Sequence, residues 1–218
     1  MTAQPGKDPT AAPLAQPFPQ AGPLIEHAYW ELALAATGSE EQKRALGDFR
    51  KLARPWDPPS CTHPNLRLEL WMWLEDVATW LNHEYIWDTA GYIPSCWPEH
   101  PHLVHDLAVL ADQRRRAGQA ITSDSLEDWH RNCLPNFLER LSKRLKTHCD
   151  NGHQPSPSTS RHVRHSSDPH RRRRTKQFDT DAALVRASQQ EARDSTSLRL
   201  VDGELVDPAT GEIHDQDD

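Results

Sequence analysis

Between residues 23 and 149 apolar side chains recur at three- and four-residue spacing, and no stretch there alternates with period two. The pattern predicts an all-α fold, a compact bundle of about five helices. Pro23 suits a first helical position, and residues 24–37 read as the first helix, closing at Gly38. Ser39 with Gln42 forms a capping-box pattern that opens a second helix to about residue 53, with Leu46, Phe49 and Leu52 as its apolar stripe. Pro55, Pro58 and Pro59 end it. Residues 66–87 carry the strongest helical signal. Trp73, Trp80 and Trp87 lie seven apart and stack along one side, while Leu70, Leu74, Val77 and Leu81 widen the stripe. A stripe that wide suits a central helix touched by several neighbours.

Gly91, Pro94 and Pro98 punctuate the next loop, and Pro101 starts a fourth helix with Leu103, Val104, Leu107, Leu110 and Ala111 facing inward. Arg114, Arg115 and Arg116 ahead of Gly118 supply the cations and the glycine that suit a helix end. A fifth helix starts after Thr122 or Ser123 and turns Leu126, Trp129, Cys133, Phe137, Leu141 and Leu145 to the core. Pro135 interrupts that pattern and predicts a kink or break. Residues 1–22, rich in Pro, Ala and Gln, read as a disordered lead-in. Further on, residues 181–193 read as a short helix. Leu200, Val201, Leu205 and Val206 flank Asp202 and Gly203 as a candidate hairpin, ordered only when docked.

Composition sharpens the boundaries. All eight Trp fall between residues 30 and 129, and from Asp150 onward there is no Trp or Tyr and only Phe178. Large aromatics dominate core energetics, so a segment without them has little to fold around. The expected organisation is a disordered segment 1–22, a helical domain 23–149 with a Trp-rich core, a basic disordered linker 150–180 and an acidic tail 181–218. The formal charge of −7 conceals a polarity. Residues 151–177 carry seven basic groups against Asp168 alone, and residues 178–218 carry eleven acidic against three basic. No apolar run approaches the ~18 residues of a membrane span, and no basic-then-apolar signal opens the sequence. A cytoplasmic location and no membrane partner are therefore expected. Cys61, Cys96, Cys133 and Cys149 are too sparse for a disulfide scaffold.

The string RPWDPPSC at 54–61, LWMWL at 70–74, WLNHEY at 80–85 and IPSCWPEHPHL at 93–103 form a connected pattern. It continues through AGQA at 117–120, LEDWHR at 126–131 and LPNF at 134–137. Over residues 54–149 this resembles an uncharacterised family of small helical actinobacterial proteins often carried on plasmids and integrative conjugative elements. The resemblance implies a mobile-element setting and brings no activity or catalytic residue with it.

Three constellations offer chemistry. Cys96, His100, His102 and His105 sit at the start of the fourth helix, and His130 and Cys133 on the fifth. Cys96-x3-His100 and His130-x2-Cys133 supply two spaced pairs, the four nitrogen and sulfur ligands zinc takes, although Cys133 equally suits a small core position. Glu75, Asp76, Asn82, His83 and Glu84 on the third helix put a His beside carboxylates, as acid–base chemistry needs, but more commonly such groups form a solvated face. No catalytic residue is assigned. Arg171, Arg172, Arg173, Arg174 and Lys176, preceded by Arg161 and Arg164, are candidate contacts to nucleic-acid phosphates through counterion release, without the aromatics that base stacking requires. The alternative is a solvated linker paired loosely with the acidic tail. No phosphate-binding glycine loop and no G-x-S-x-G elbow is present. The leading expectation is a non-catalytic helical interaction protein with a protein partner and no cofactor. A nucleic-acid accessory protein and a zinc-binding protein or metal-dependent enzyme are the alternatives.

Overall fold

The computed structural model describes residues 13–196, 199–201, 204–206 and 213–214. The chain divides into two units between Gln154 and Pro155. The first is the helical body: α1 (Pro23–Thr37), α2 (Glu40–Leu46), α3 (Pro64–Glu84), α4 (Pro101–Gly118), α5 (Asp124–Asp128) and α6 (Leu134–Leu145). The all-α reading holds. Helix α3 is central, and its Leu70, Leu74, Val77 and Leu81 meet Ile25 of α1, Leu103 and Leu107 of α4 and Phe137 of α6 in one core. Side chains of this kind contribute about 1.5–3 kcal/mol each when fully buried.

Where the body departs from the sequence reading, local backbone chemistry is the reason. The capping box at Ser39 and Gln42 forms as expected, but α2 stops at Leu46. Gly47 takes a φ of 73° and turns the chain out of the helix. Phe49–Lys51 then makes a separate 3-10 turn, with Leu52 buried and Phe49 exposed, so the expected stripe splits. Helix α3 ends at Glu84 rather than residue 87, leaving Trp87 fully exposed while Trp73 and Trp80 are buried. Trp30 is also mostly exposed; Trp97 and Trp129 are buried.

The interruption expected at Pro135 appears just ahead of it. A π turn, Trp129–Cys133, joins α5 to α6, and the Leu134 N–H reaches back to the Trp129 carbonyl. Pro135 has no N–H for the carbonyl four residues before it, and the preceding turn widens.

Residues 16–21, expected to lie solvated, pack on the body. The indoles of Trp73 and Trp80 donate to the carbonyls of Pro19 and Gln16, each at 3.0 Å. Phe18 meets both rings edge-on. Two large buried indoles need acceptors for their N–H groups, and this strap supplies them. Residues 1–12 of the expected lead-in lie outside the described residues.

The second unit holds α7 (Thr159–Ser166) and α8 (Asp168–Thr196). The expected basic linker is therefore largely helical. Arg, Lys and Gln are good helix formers, so the segment needs no aromatic core to adopt that backbone. Three short antiparallel strands follow: β1 (Arg199–Val201), β2 (Glu204–Val206) and β3 (Ile213–His214). Leu200 pairs with Leu205, the register of the anticipated hairpin, and Val206 pairs with Ile213. Asp202 and Gly203 themselves lie outside the described residues.

Candidate functional site

The first half of the site is built by the loop between α3 and α4. Asn82 of α3 grips Ile93 at both ends of its backbone: its amide donates to the Ile93 carbonyl at 3.0 Å, and its oxygen accepts from the Ile93 N–H at 2.9 Å. Three residues later a 3-10 turn, Trp97–Glu99, carries the chain from Cys96 to His100. Trp97 anchors that turn: it is buried, and its indole donates to Glu75 at 2.7 Å. The turn brings Cys96 Sγ to 3.3 Å from His100 Nε2. His100 then serves as the residue ahead of α4, and its carbonyl accepts from the Leu103 N–H.

The second half comes from the chain leaving α6. Leu141 and Leu145 bury the end of that helix. Lys146 then adopts φ 50° and ψ −127°, a conformation a side chain rarely takes, and reverses the chain. A tight turn follows, with the Gly152 N–H bonded to the Cys149 carbonyl at 3.2 Å and Gly152 at φ 108°. Only glycine takes that angle without strain. Cys149 Sγ consequently reaches 3.3 Å from His100 Nε2, and the His153 ring centre lies 5.0 Å from that of His100.

Two thiols and two imidazoles thus converge. One donor atom from each of Cys96, His100, Cys149 and His153 lies within 4.8 Å of all the others. His100 is buried, the cysteines are partly buried and His153 is at the rim, its Nε2 3.5 Å from Glu99. Burial pushes the Cys96 thiol up from its ordinary range, and the neighbouring Cys149 thiol adds to the shift. Burial, followed by the nearby His153 and His102, pushes His100 down from its ordinary range. Such a donor set suits a borderline-soft cation once the thiols give up their protons. A cavity of about 430 Å³, lined by Tyr92, Ser95, Lys146, Cys149 and Asp150 among others, opens beside Cys149.

Of the four residues expected at a metal cluster, the structure unites Cys96 and His100 and places His130 and Cys133 elsewhere. His130 Nε2 lies 3.1 Å from the Tyr85 hydroxyl, and its ring packs beside Trp129. Cys133 is partly buried in the π turn, with its thiol pushed up by burial and then by Asp128. The actual partners repeat the first pair's spacing: Cys149-x3-His153 mirrors Cys96-x3-His100. That repetition was visible in the chain, but it straddles the boundary where the aromatic core ends. The acid–base candidates of α3 are occupied differently. Asn82 and Glu75 hold the loop, and His83 pairs with Glu84 at an exposed 2.7 Å.

In the second unit, Arg174 donates to the His165 carbonyl at the end of α7 and fastens α8 against it. Arg161, Arg164, Arg171, Arg172, Arg173 and Lys176 are exposed, and among the described residues none forms an ion pair. At about 100° per residue, Arg171 to Arg174 girdle the helix rather than line one face.

Comparison with protein-family models, curated proteins and solved structures yields no match to this chain. Among the described residues no helix is long and apolar enough to cross a membrane.

Proposed function

We propose that this chain is a non-catalytic accessory protein in which a Trp-rich helical body carries a cationic helical arm, α7 and α8, that holds the phosphate backbone of a nucleic acid. The observation that carries the reading is the run of six exposed cations between Arg161 and Lys176 on two successive helices, without an ion pair among the described residues. A helix girdled by arginines suits a groove walled by phosphates on both sides. The recognition is electrostatic and indifferent to sequence, because no Phe, Tyr or Trp lies between these cations to stack on bases. The spending of Asn82 and Glu75 on loop anchoring supports an accessory role over an enzymatic one. The resemblance over residues 54–149 adds a setting on a mobile genetic element to the proposal.

The test is duplex binding by the full chain, followed by fluorescence anisotropy over a salt series. Log affinity falls linearly with log salt, at about 0.9 per phosphate engaged. Replacing Arg171, Arg172, Arg173 and Arg174 together with Ala flattens that slope by up to about 3–4 and weakens binding at low salt. An unaltered slope refutes the reading and favours a protein partner.

A further inference from the structure

The four converging side chains carry an inference independent of the arm. We propose that Cys96, His100, Cys149 and His153 form a tetrahedral structural site for a zinc-class divalent cation, clasping the chain that leaves α6 to the turn that starts α4. A cation with sulfur at about 2.3 Å and nitrogen at about 2.0–2.1 Å sets neighbouring donors about 3.4–3.8 Å apart. Both Sγ–Nε2 separations to His100 are 3.3 Å, and the widest donor separation stays within 4.8 Å. Side-chain movements of about 1 Å bring the widest pair into that range and complete the shell.

The surroundings are arranged for these four residues. Trp97, Asn82 and Glu75 fix the turn that presents Cys96 and His100. Lys146 and Gly152 take left-handed φ angles between α6 and His153, and both lie in the turn that returns Cys149 and His153 to the cluster. Glu99 stands beside His153 as an outer carboxylate that orients the ring. Two thiolates and two imidazoles select zinc over the oxygen-seeking magnesium and calcium. Four protein ligands close the shell, as structural zinc sites do and catalytic ones do not.

The charge balance is simple. Both cysteines bind as thiolates, so each cation displaces two thiol protons to solvent, and its two positive charges are neutralised at the site. The imidazoles bind in their neutral form. No electron changes hands.

The test uses the full chain, stripped with a chelator under reductant and titrated with zinc against a chromophoric competitor, then with cobalt(II). Expected are one cation per chain, about two protons released near pH 7, and a cobalt spectrum with thiolate charge transfer and tetrahedral d–d bands. Cys149→Ser and His153→Ala weaken zinc at least about a hundredfold, beyond what loss of an outer-shell partner alone brings. His130→Ala and Cys133→Ser leave it unchanged. Circular dichroism reports whether each variant remains folded, and His153→Cys keeps four ligands while adding a thiolate, so its cobalt charge-transfer band grows. Zinc affinity unchanged in folded Cys149→Ser, read against the same competitor, overturns the proposal. So does loss of zinc in folded Cys133→Ser, or a His153→Cys band that does not grow.

Discussion

Tyr29 shows how a single buried side chain can cost the body stability. Its ring is buried in α1, the Arg115 guanidinium lies 3.4 Å from the ring centre, and its hydroxyl meets no hydrogen-bond partner among the described residues. Asp112 is buried nearby and shared between Arg115 and Arg116. Burial first, and then the charge of Asp112, push the Tyr29 phenol well above its ordinary value of 10.0. A raised pKa in the fold means the associated stability is whole below pH 10 and falls above it, because the unfolded phenol ionises there and the buried one does not. Urea melts should accordingly lose stability between about pH 9.5 and 11. Tyr29→Phe removes the unpaired hydroxyl, raises neutral-pH stability by about 1 kcal/mol and flattens that alkaline decline. A destabilised Phe variant would show the hydroxyl to be satisfied. None of this was readable in the chain, where Tyr29 is one aromatic among many. The partners that set its environment lie more than eighty residues away.

At the scale of the element, α3 separates what periodicity reports from what it leaves open. The seven-residue spacing of Trp73 and Trp80 correctly located a buried stripe, because residues seven apart return to one side of a 3.6-residue helix. The same arithmetic placed Trp87 on that stripe, yet both the Tyr85 and Ile86 N–H groups fold back onto the Leu81 carbonyl and the helix is over. Spacing says where side chains would point if a helix continued; capping decides whether it does. The stripe yields a paired prediction in urea or thermal denaturation. Leu74→Ala, fully buried, should cost about 2–5 kcal/mol. Met72→Ala, exposed and two residues away, should stay within about 0.5 kcal/mol of the parent. Equal losses would put both residues in the core and contradict the observed face. Basic residues offer a second case. The block 161–176 was legible as charge, whereas its helical backbone was not, since residues that avoid a core still form helices when their intrinsic propensity is high.

Over the whole molecule, the opposed charges of the C-terminal region bear on the proposed nucleic-acid binding. Residues 197–218 hold seven acidic groups against Arg199, downstream of the cationic girdle. A tethered polyanion competes with phosphate for the same arginines at low ionic strength and is screened at high. Ending the chain at residue 196 should therefore raise duplex affinity several-fold in dilute salt, with the gain vanishing toward 0.5 M. Anisotropy on both forms checks this, and equal affinities at low salt would show that the acidic residues do not engage the arm.

The sequence by itself determined the helical class and the place where the composition changes, because periodicity and burial propensity are local properties summed along the chain. It also placed Cys96 and His100 together, since four residues across one turn leave them little freedom to separate. The tertiary structure alone decided what joins them. Cys149 and His153 arrive from about fifty residues away, brought round by two left-handed backbone angles at Lys146 and Gly152, while His130 is drawn off to the Tyr85 hydroxyl. Spacing constrains neighbours on one helix. The meeting of distant segments depends on where the chain turns and on which core the flanking helices share.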